Sequence, residues 1–190
     1  MDLGLLPFAR GVPDAVSRAF SQAEQLHTQV ATAHAIDRMA VAITATLQDQ
    51  NPVVLSVLQG GLYLTGQLMA RVVMPLQQGY VHVGRYTNEQ QEGELHWYGG
   101  AYPSLAGRCV LLVGDVLDRG VTLQKLLDWL HEQDVSCTYT AVMAKKNSDC
   151  LVRPPVDFVG VECPNRVLFG CGMDFEGYGR NLPSLYGLKE

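Results

Sequence analysis

The chain has 190 residues, 47% of them apolar, which suits one compact unit with a sizeable core. Its 14 basic against 19 acidic side chains leave a formal charge of −5, which argues against nucleic acid or an anionic membrane surface as the main partner. No apolar stretch approaches the roughly 20 residues that span a bilayer, and no basic-then-apolar secretory signal is expected at the N-terminus.

Pro13 followed by Asp14 marks a helix start. Ala15, Ala19, Ala23, Leu26 and Val30 then recur at helical steps, and Ile36, Ala40, Ile43 and Leu47 do the same for a second helix that Pro52 ends. Val53 to Leu58 (VVLSVL) changes the pattern to a short apolar run before Gly60-Gly61, the signature of a buried strand. Leu62 to Val73 returns to helical spacing, and Tyr80 to Tyr86 reads as the next strand. Thr87 to Gly107 is polar and Gly-rich, with a hairpin arm expected at Glu94 to Tyr98. Cys109 to Val113 (CVLLV) is the clearest buried strand, followed by a loop and a helix from about Thr122 to Gln133. Further strands are expected near Thr138 to Ala144 and Phe158 to Glu162, and Leu182 to Glu190 reads as a surface tail. Strands alternating with helices imply an α/β fold with a largely parallel sheet, whose ligands bind at strand carboxyl ends.

Several residues have bland readings. Cys109, Cys137, Cys150, Cys163 and Cys171 are odd in number, scattered and without a C-x-x-C pair, so reduced thiols and a cytoplasmic setting are expected. His82 and His96 could pair across strands, but no carboxylate is spaced to complete a metal site. Trp129 reads as core, and Trp97-Tyr98 as packing or a dimer contact.

The segment Val110 to Leu123, VLLVGDVLDRGVTL, reads as strand, turn and helix start. Gly120 lets the backbone approach a ligand, and unpaired helix N-terminal N–H groups form a phosphate cradle to which Thr122 adds a hydroxyl. Asp115 and Asp118 lie in the same loop, where acids beside a phosphate are costly unless they meet a cation or a sugar diol. The competing reading is a generic βα turn with Asp118 as a helix cap. Neither G-x-x-x-x-G-K-[ST] nor G-x-G-x-x-G occurs.

This segment resembles the phosphoribosyl pyrophosphate (PRPP) motif of purine phosphoribosyltransferases. VLQGGLYLTGQL (57–68) resembles their pyrophosphate loop and GRYTN (84–88) the start of their mobile loop. AVMAKKN (141–147) resembles the purine-reading lysine stretch, and VDFVGVECPNRVLFGCGMDFEGYGRNLP (156–183) the base-binding and hood region. The match is to the hypoxanthine-guanine branch, particularly its bacterial members. It implies the type I phosphoribosyltransferase fold, a mostly parallel sheet flanked by helices with a small hood. It also implies a single domain, with N-terminal helices at about 13–49, a core at about 52–162 and the hood at about 163–190.

The implied reaction converts hypoxanthine or guanine plus PRPP to IMP or GMP plus pyrophosphate, with Mg2+, in a homodimer or homotetramer. By resemblance, Asp118 is the general base, and Arg119, Gly120, Val121 and Thr122 hold the 5′-phosphate. Asp115 serves the ribose hydroxyls or the metal, and Asp174 the metal and the base site. Leu58, Gln59 and Gly60 line the pyrophosphate loop, with a cis peptide expected at Leu58–Gln59, and Arg180 clamps pyrophosphate. Arg85 and Tyr86 open the mobile loop, while Lys146, Val167 and Leu168 contact the purine. A lysine donor to the 6-oxo group favours hypoxanthine or guanine over adenine.

The pattern departs at five positions, one of them Cys171, which replaces a common aromatic. Gly114 stands where an acid is usual, Arg119 replaces a small hydroxyl or an acid, and Gln59 replaces the lysine of some members. Val167 replaces a stacking aromatic, which costs base binding about 1 kcal/mol. These departures motivate two alternatives: a nucleotide- or PRPP-binding protein with weak or no turnover, and a transferase for another base such as xanthine.

Overall fold

The computed structural model describes residues 11–85, 95–147 and 152–189. Helix α1 (Asp14–Gln22) leads into a short strand, β1 (Glu24–His27), and then helix α2 (Gln29–Leu47). The helical spacing from Ala15 to Val30 is therefore broken, against the sequence expectation. Ala23 turns extended at the end of α1, and the Thr28 hydroxyl caps α2 by accepting the Ala31 N–H at 3.2 Å. Leu26 lies on β1, and Val30 is left exposed. Tertiary pairing is the cause, because β1 finds an antiparallel partner near the far end of the chain.

The remaining elements are β2 (Val53–Leu58), α3 (Gly61–Met69), β3 (Gln77–Arg85), β4 (Leu95–Ala101), β5 (Cys109–Leu117), α4 (Val121–Glu132), β6 (Cys137–Asn147), β7 (Phe158–Pro164), β8 (Leu168–Phe169) and β9 (Leu185–Gly187). Six strands form the central sheet in the order β4-β3-β2-β5-β6-β7. All neighbours run parallel except β3 and β4, which form the antiparallel arm. Helices cover both faces. Val54, Leu111 and Val113 pack with residues of α2 and α3, whereas Val53, Leu55, Val110 and Leu112 pack with Leu126 and Leu130 of α4. Burial on both sides explains why these strands are continuously apolar.

A second sheet, β1-β9-β8, is antiparallel. Phe169 is its anchor, stacked on Phe20 at 4.4 Å and on Tyr186 at 5.2 Å between ring centroids. The segment read as a surface tail is thus partly interior: Leu185 and Tyr186 are buried on β9. Its alternation is too short to announce a strand, and only its two partners reveal one.

Trp129 is half-buried rather than central and packs against Trp97 and Tyr102 at 4.8 and 5.6 Å between ring centroids. His82 and His96 are not cross-strand partners, since Tyr98 lies between their rings. Among the described residues there is no cluster of three metal-ligating side chains and no helix long and apolar enough to cross a membrane.

Candidate active site

The carboxyl ends of β5 and β6 and the start of α4 meet at one place. Gly120 precedes α4 with φ +80, a left-handed turn open to glycine but strained for other residues. The N-cap position is Gly120 itself, not Asp118. The amides of Val121 and Thr122 fall in the first turn, where N–H groups lack helical partners. A Cβ at Gly120 would strike the Val152 carbonyl oxygen, so the turn is pressed against the segment before β7.

Asp118 meets Lys146 here, with Nζ donating to Oδ2 at 3.1 Å. The lysine side chain is only 11% exposed, so this ammonium is largely withdrawn from water. Its direct ladder neighbour on β7 is Cys163. Burial pushes the Cys163 thiol up to about 11, partly offset by the Lys146 charge. Lys145, one residue back, lines with Lys146 a pocket of about 270 Å³ that Leu117, Arg153 and Pro154 complete.

Asp115 lies deeper. Burial raises its carboxyl pKa from the ordinary value, opposed by N–H donors, including Val116 at 2.9 Å, and by the Arg180 charge, and reinforced by Asp174. Gly60 is the reason the carboxyl fits, because a Cβ there would overlap the Asp115 carboxylate. The Leu58–Gln59 peptide at the end of β2 is cis.

A turn of the hood closes the far side. A Cβ on Gly172 would strike the Gly60 carbonyl oxygen, so the two loops touch backbone to backbone. Arg180 donates through Nη1 to the Gly172 carbonyl at 2.8 Å and pairs through Nη2 with Asp174 at 2.6 Å. Asp174 also accepts the Gly177 N–H at 2.6 Å. Val167 is 50% exposed, whereas Leu168 is buried in the core. Tyr86 and the side chain of Arg85 lie outside the described residues.

The fold thus gathers three carboxylates, two cations and a helix N-terminus, drawn from three stretches of chain. The family model of the phosphoribosyl transferase domain matches residues 22–176. This chain belongs to that family. Among curated relatives, the phosphoribosyltransferase is 29% identical over 156 residues to a hypoxanthine-guanine-xanthine phosphoribosyltransferase of Tritrichomonas foetus, covering 82% of this chain and 85% of that one. It is 27% identical to the hypoxanthine-guanine phosphoribosyltransferase of Bacillus subtilis, covering 81% of this chain and 86% of that one. Among solved structures, a hypoxanthine phosphoribosyltransferase from Staphylococcus aureus superposes with TM-score 0.81 at 23% identity, covering 87% and 91% of the two chains. A hypoxanthine-guanine-xanthine phosphoribosyltransferase superposes at 0.76 with 27% identity, covering 88% and 97%. The phosphoribosyltransferase is therefore of the hypoxanthine-guanine type in sequence and fold.

Sequence reasoning passed over the segment 152–155, which packs on the Gly120 turn. Its only signal was the pair Pro154-Pro155, which fixes backbone angles.

Proposed function

We propose that this phosphoribosyltransferase joins hypoxanthine or guanine to PRPP, giving IMP or GMP and pyrophosphate. The observation that carries the reading is the Asp118–Lys146 pair at 3.1 Å, set beside the helix N-terminus that follows Gly120. A carboxylate that can hold the imidazole proton of a purine, an ammonium that can donate to a 6-oxo group and a phosphate cradle are what this reaction requires in one place. The purine would enter between the two, exchanging their mutual contact for contacts to itself.

The remaining residues supply the other requirements. Gly120, Val121 and Thr122 hold the 5′-phosphate through N–H groups and a hydroxyl, and Arg119 adds positive charge. Asp115 takes the ribose hydroxyls. Gln59, Gly60 and Arg180 face pyrophosphate, where negative charge grows as the C1′–O bond breaks. The hood and the loop opened by Arg85 and Tyr86 exclude water. Val167 and the Leu168 backbone border the base.

Magnesium fits this donor set. Asp115 and Asp174 are oxygen ligands close enough that Asp174 raises the Asp115 pKa. Magnesium commonly takes one or two carboxylates plus substrate phosphates and water. Bound there with PRPP, it would neutralise charge on the leaving pyrophosphate. A cytoplasmic homodimer or homotetramer completes the reading, by analogy with the enzymes it resembles.

Two observations favour a nucleotide-binding protein with little turnover. The space beside Gly114 is open, the nearest atom to a Cβ there being Val142 Cγ1 at 3.8 Å, and Val167 offers no stacking ring. Single-turnover formation of IMP and GMP separates the readings. Product with wild type and its loss in Asp118→Asn support the enzyme; GMP binding without product at high protein concentration overturns it. Competition with xanthine then defines the base, since a xanthine-using relative is among the matches.

A further inference from the structure

Thr140 lies in the middle of β6 and is only 1% exposed. Its polar groups are satisfied by one exposed residue, Asp157, and by the stretch before it. The Thr140 N–H donates to Asp157 Oδ2 at 2.8 Å. The Thr140 hydroxyl lies 3.0 Å from both Asp157 Oδ2 and the Pro155 carbonyl oxygen and shares its proton between them. In return the Asp157 N–H reaches the Thr140 hydroxyl at 3.1 Å and carbonyl at 3.2 Å.

This clip holds down a strap, residues 152–157, that has no regular structure of its own. The strap's other end touches the turn before α4. The Val152 N–H donates to the Arg119 carbonyl at 3.2 Å, and the place of a Gly120 Cβ is filled by the Val152 carbonyl oxygen and by Pro154 Cδ at 2.8 Å. Pro154 is buried in this contact, and with Pro155 it makes the strap stiff. A stiff strap transmits the position of its anchor to its tip. The left-handed turn at Gly120 is therefore shaped by a carboxylate near the opposite end of the strap.

The geometry points to Asp157 as a positioning residue: by clipping the strap to Thr140 it fixes the Gly120 turn in the form that receives the 5′-phosphate. The inference rests on the proposed function, because it takes the Gly120 turn as a phosphate site. Asp157 itself touches no substrate. Its effect is expected to fall first on the phosphate turn, since the strap's hydrogen bond and its closest approach are to Arg119 and Gly120.

The test compares ligands that differ by the phosphate. Binding of GMP and of guanosine is measured by calorimetry for wild type, Asp157→Ala, Asp157→Asn and Thr140→Ser, with Michaelis constants for PRPP and guanine beside them. Asp157→Ala removes a hydrogen-bonded charge, so GMP binding and the PRPP Michaelis constant are expected to worsen about tenfold, with guanosine and guanine within about twofold. Asp157→Asn and Thr140→Ser keep an acceptor and a hydroxyl and are expected to rescue most of the loss. Equal weakening of GMP and guanosine, or no change in either, overturns the positioning role while leaving the proposed function intact. Wild type that binds neither GMP nor PRPP overturns the function itself. Should Asp157→Ala not fold, Pro154→Ala loosens the strap tip with the clip intact, and the same selective loss of GMP is expected.

Discussion

The two halves of the candidate site are built in opposite ways. The strand-end half, from Asp115 to Thr122 with Lys146, sits on β5, β6 and α4, whose backbone bonds are fixed by the parallel ladder. The hood half, from Gly172 to Arg180, is a turn held by contacts to distant chain. The Thr32 hydroxyl donates to the Pro183 carbonyl at 2.8 Å, the Cys171 N–H donates to the Leu182 carbonyl at 2.8 Å, and Phe169 is sandwiched by Phe20 and Tyr186. One half places charges on a rigid frame. The other is a lid whose shape depends on its own packing. Damage to the first should therefore cost chemistry with little stability, and damage to the second should cost stability first.

The sharpest way to break that contrast is Asp118→Asn. A single-turnover rate lowered by roughly 10²–10⁴, with only a small drop in melting temperature because Asn keeps an acceptor for the Lys146 ammonium, supports it. A large drop in melting temperature would mean the strand-end half is structural after all. Phe169→Ala is the matching test of the hood. It removes a fully buried ring, so a loss of about 3–5 kcal/mol is expected in a denaturant or thermal melt, at about 2–4 °C per kcal/mol for a chain of this size. Activity per folded molecule well below its melting point should survive better than in Asp118→Asn.

Lys146→Ala divides the strand-end half further. The Michaelis constant for guanine is expected to rise about tenfold, more than that for PRPP, as one charge-assisted hydrogen bond is lost. Equal rises for both substrates would contradict a lysine facing the base. The smallest effect concerns Asp115, where the halves meet. Burial raises its folded pKa above the unfolded value, so the folded state holds a proton more readily. Its contribution is then favourable below the unfolded pKa and is lost as pH rises through the folded one. At neutral pH, Asp115→Asn should raise the melting temperature of the ligand-free protein relative to wild type, and this difference should shrink as pH falls. A variant less stable than wild type at neutral pH would show that this carboxylate is satisfied without a ligand.

Much of this was legible in the residues themselves. CVLLV declared a strand buried on both faces because no polar side chain interrupts it, and the carboxylates, Gly120 and Thr122 follow within a few residues. Other parts misled. Ala15 to Val30 keeps helical spacing, yet Ala23 ends the helix, because pairing with β9 makes an extended Glu24–His27 more favourable than one more turn. Leu185 and Tyr186 gave no pattern of their own. The part of the strap before Val156 was passed over, and Asp157 was read only as the start of the base-binding segment, because the strap's role depends on where Gly120 and Thr140 stand in space.

By itself the sequence determined the parallel α/β core and the residue types of the phosphate turn, since both depend on short-range order: apolar runs make buried strands, and a glycine after acids makes a tight turn. Only the tertiary structure decided that β1, β8 and β9 form a sheet, that Gly60 seats the Asp115 carboxyl and Gly172 abuts Gly60, and that Lys146 meets Asp118. These are contacts between residues far apart along the chain. Their partners are chosen by shape and charge in three dimensions, and no local pattern encodes that choice.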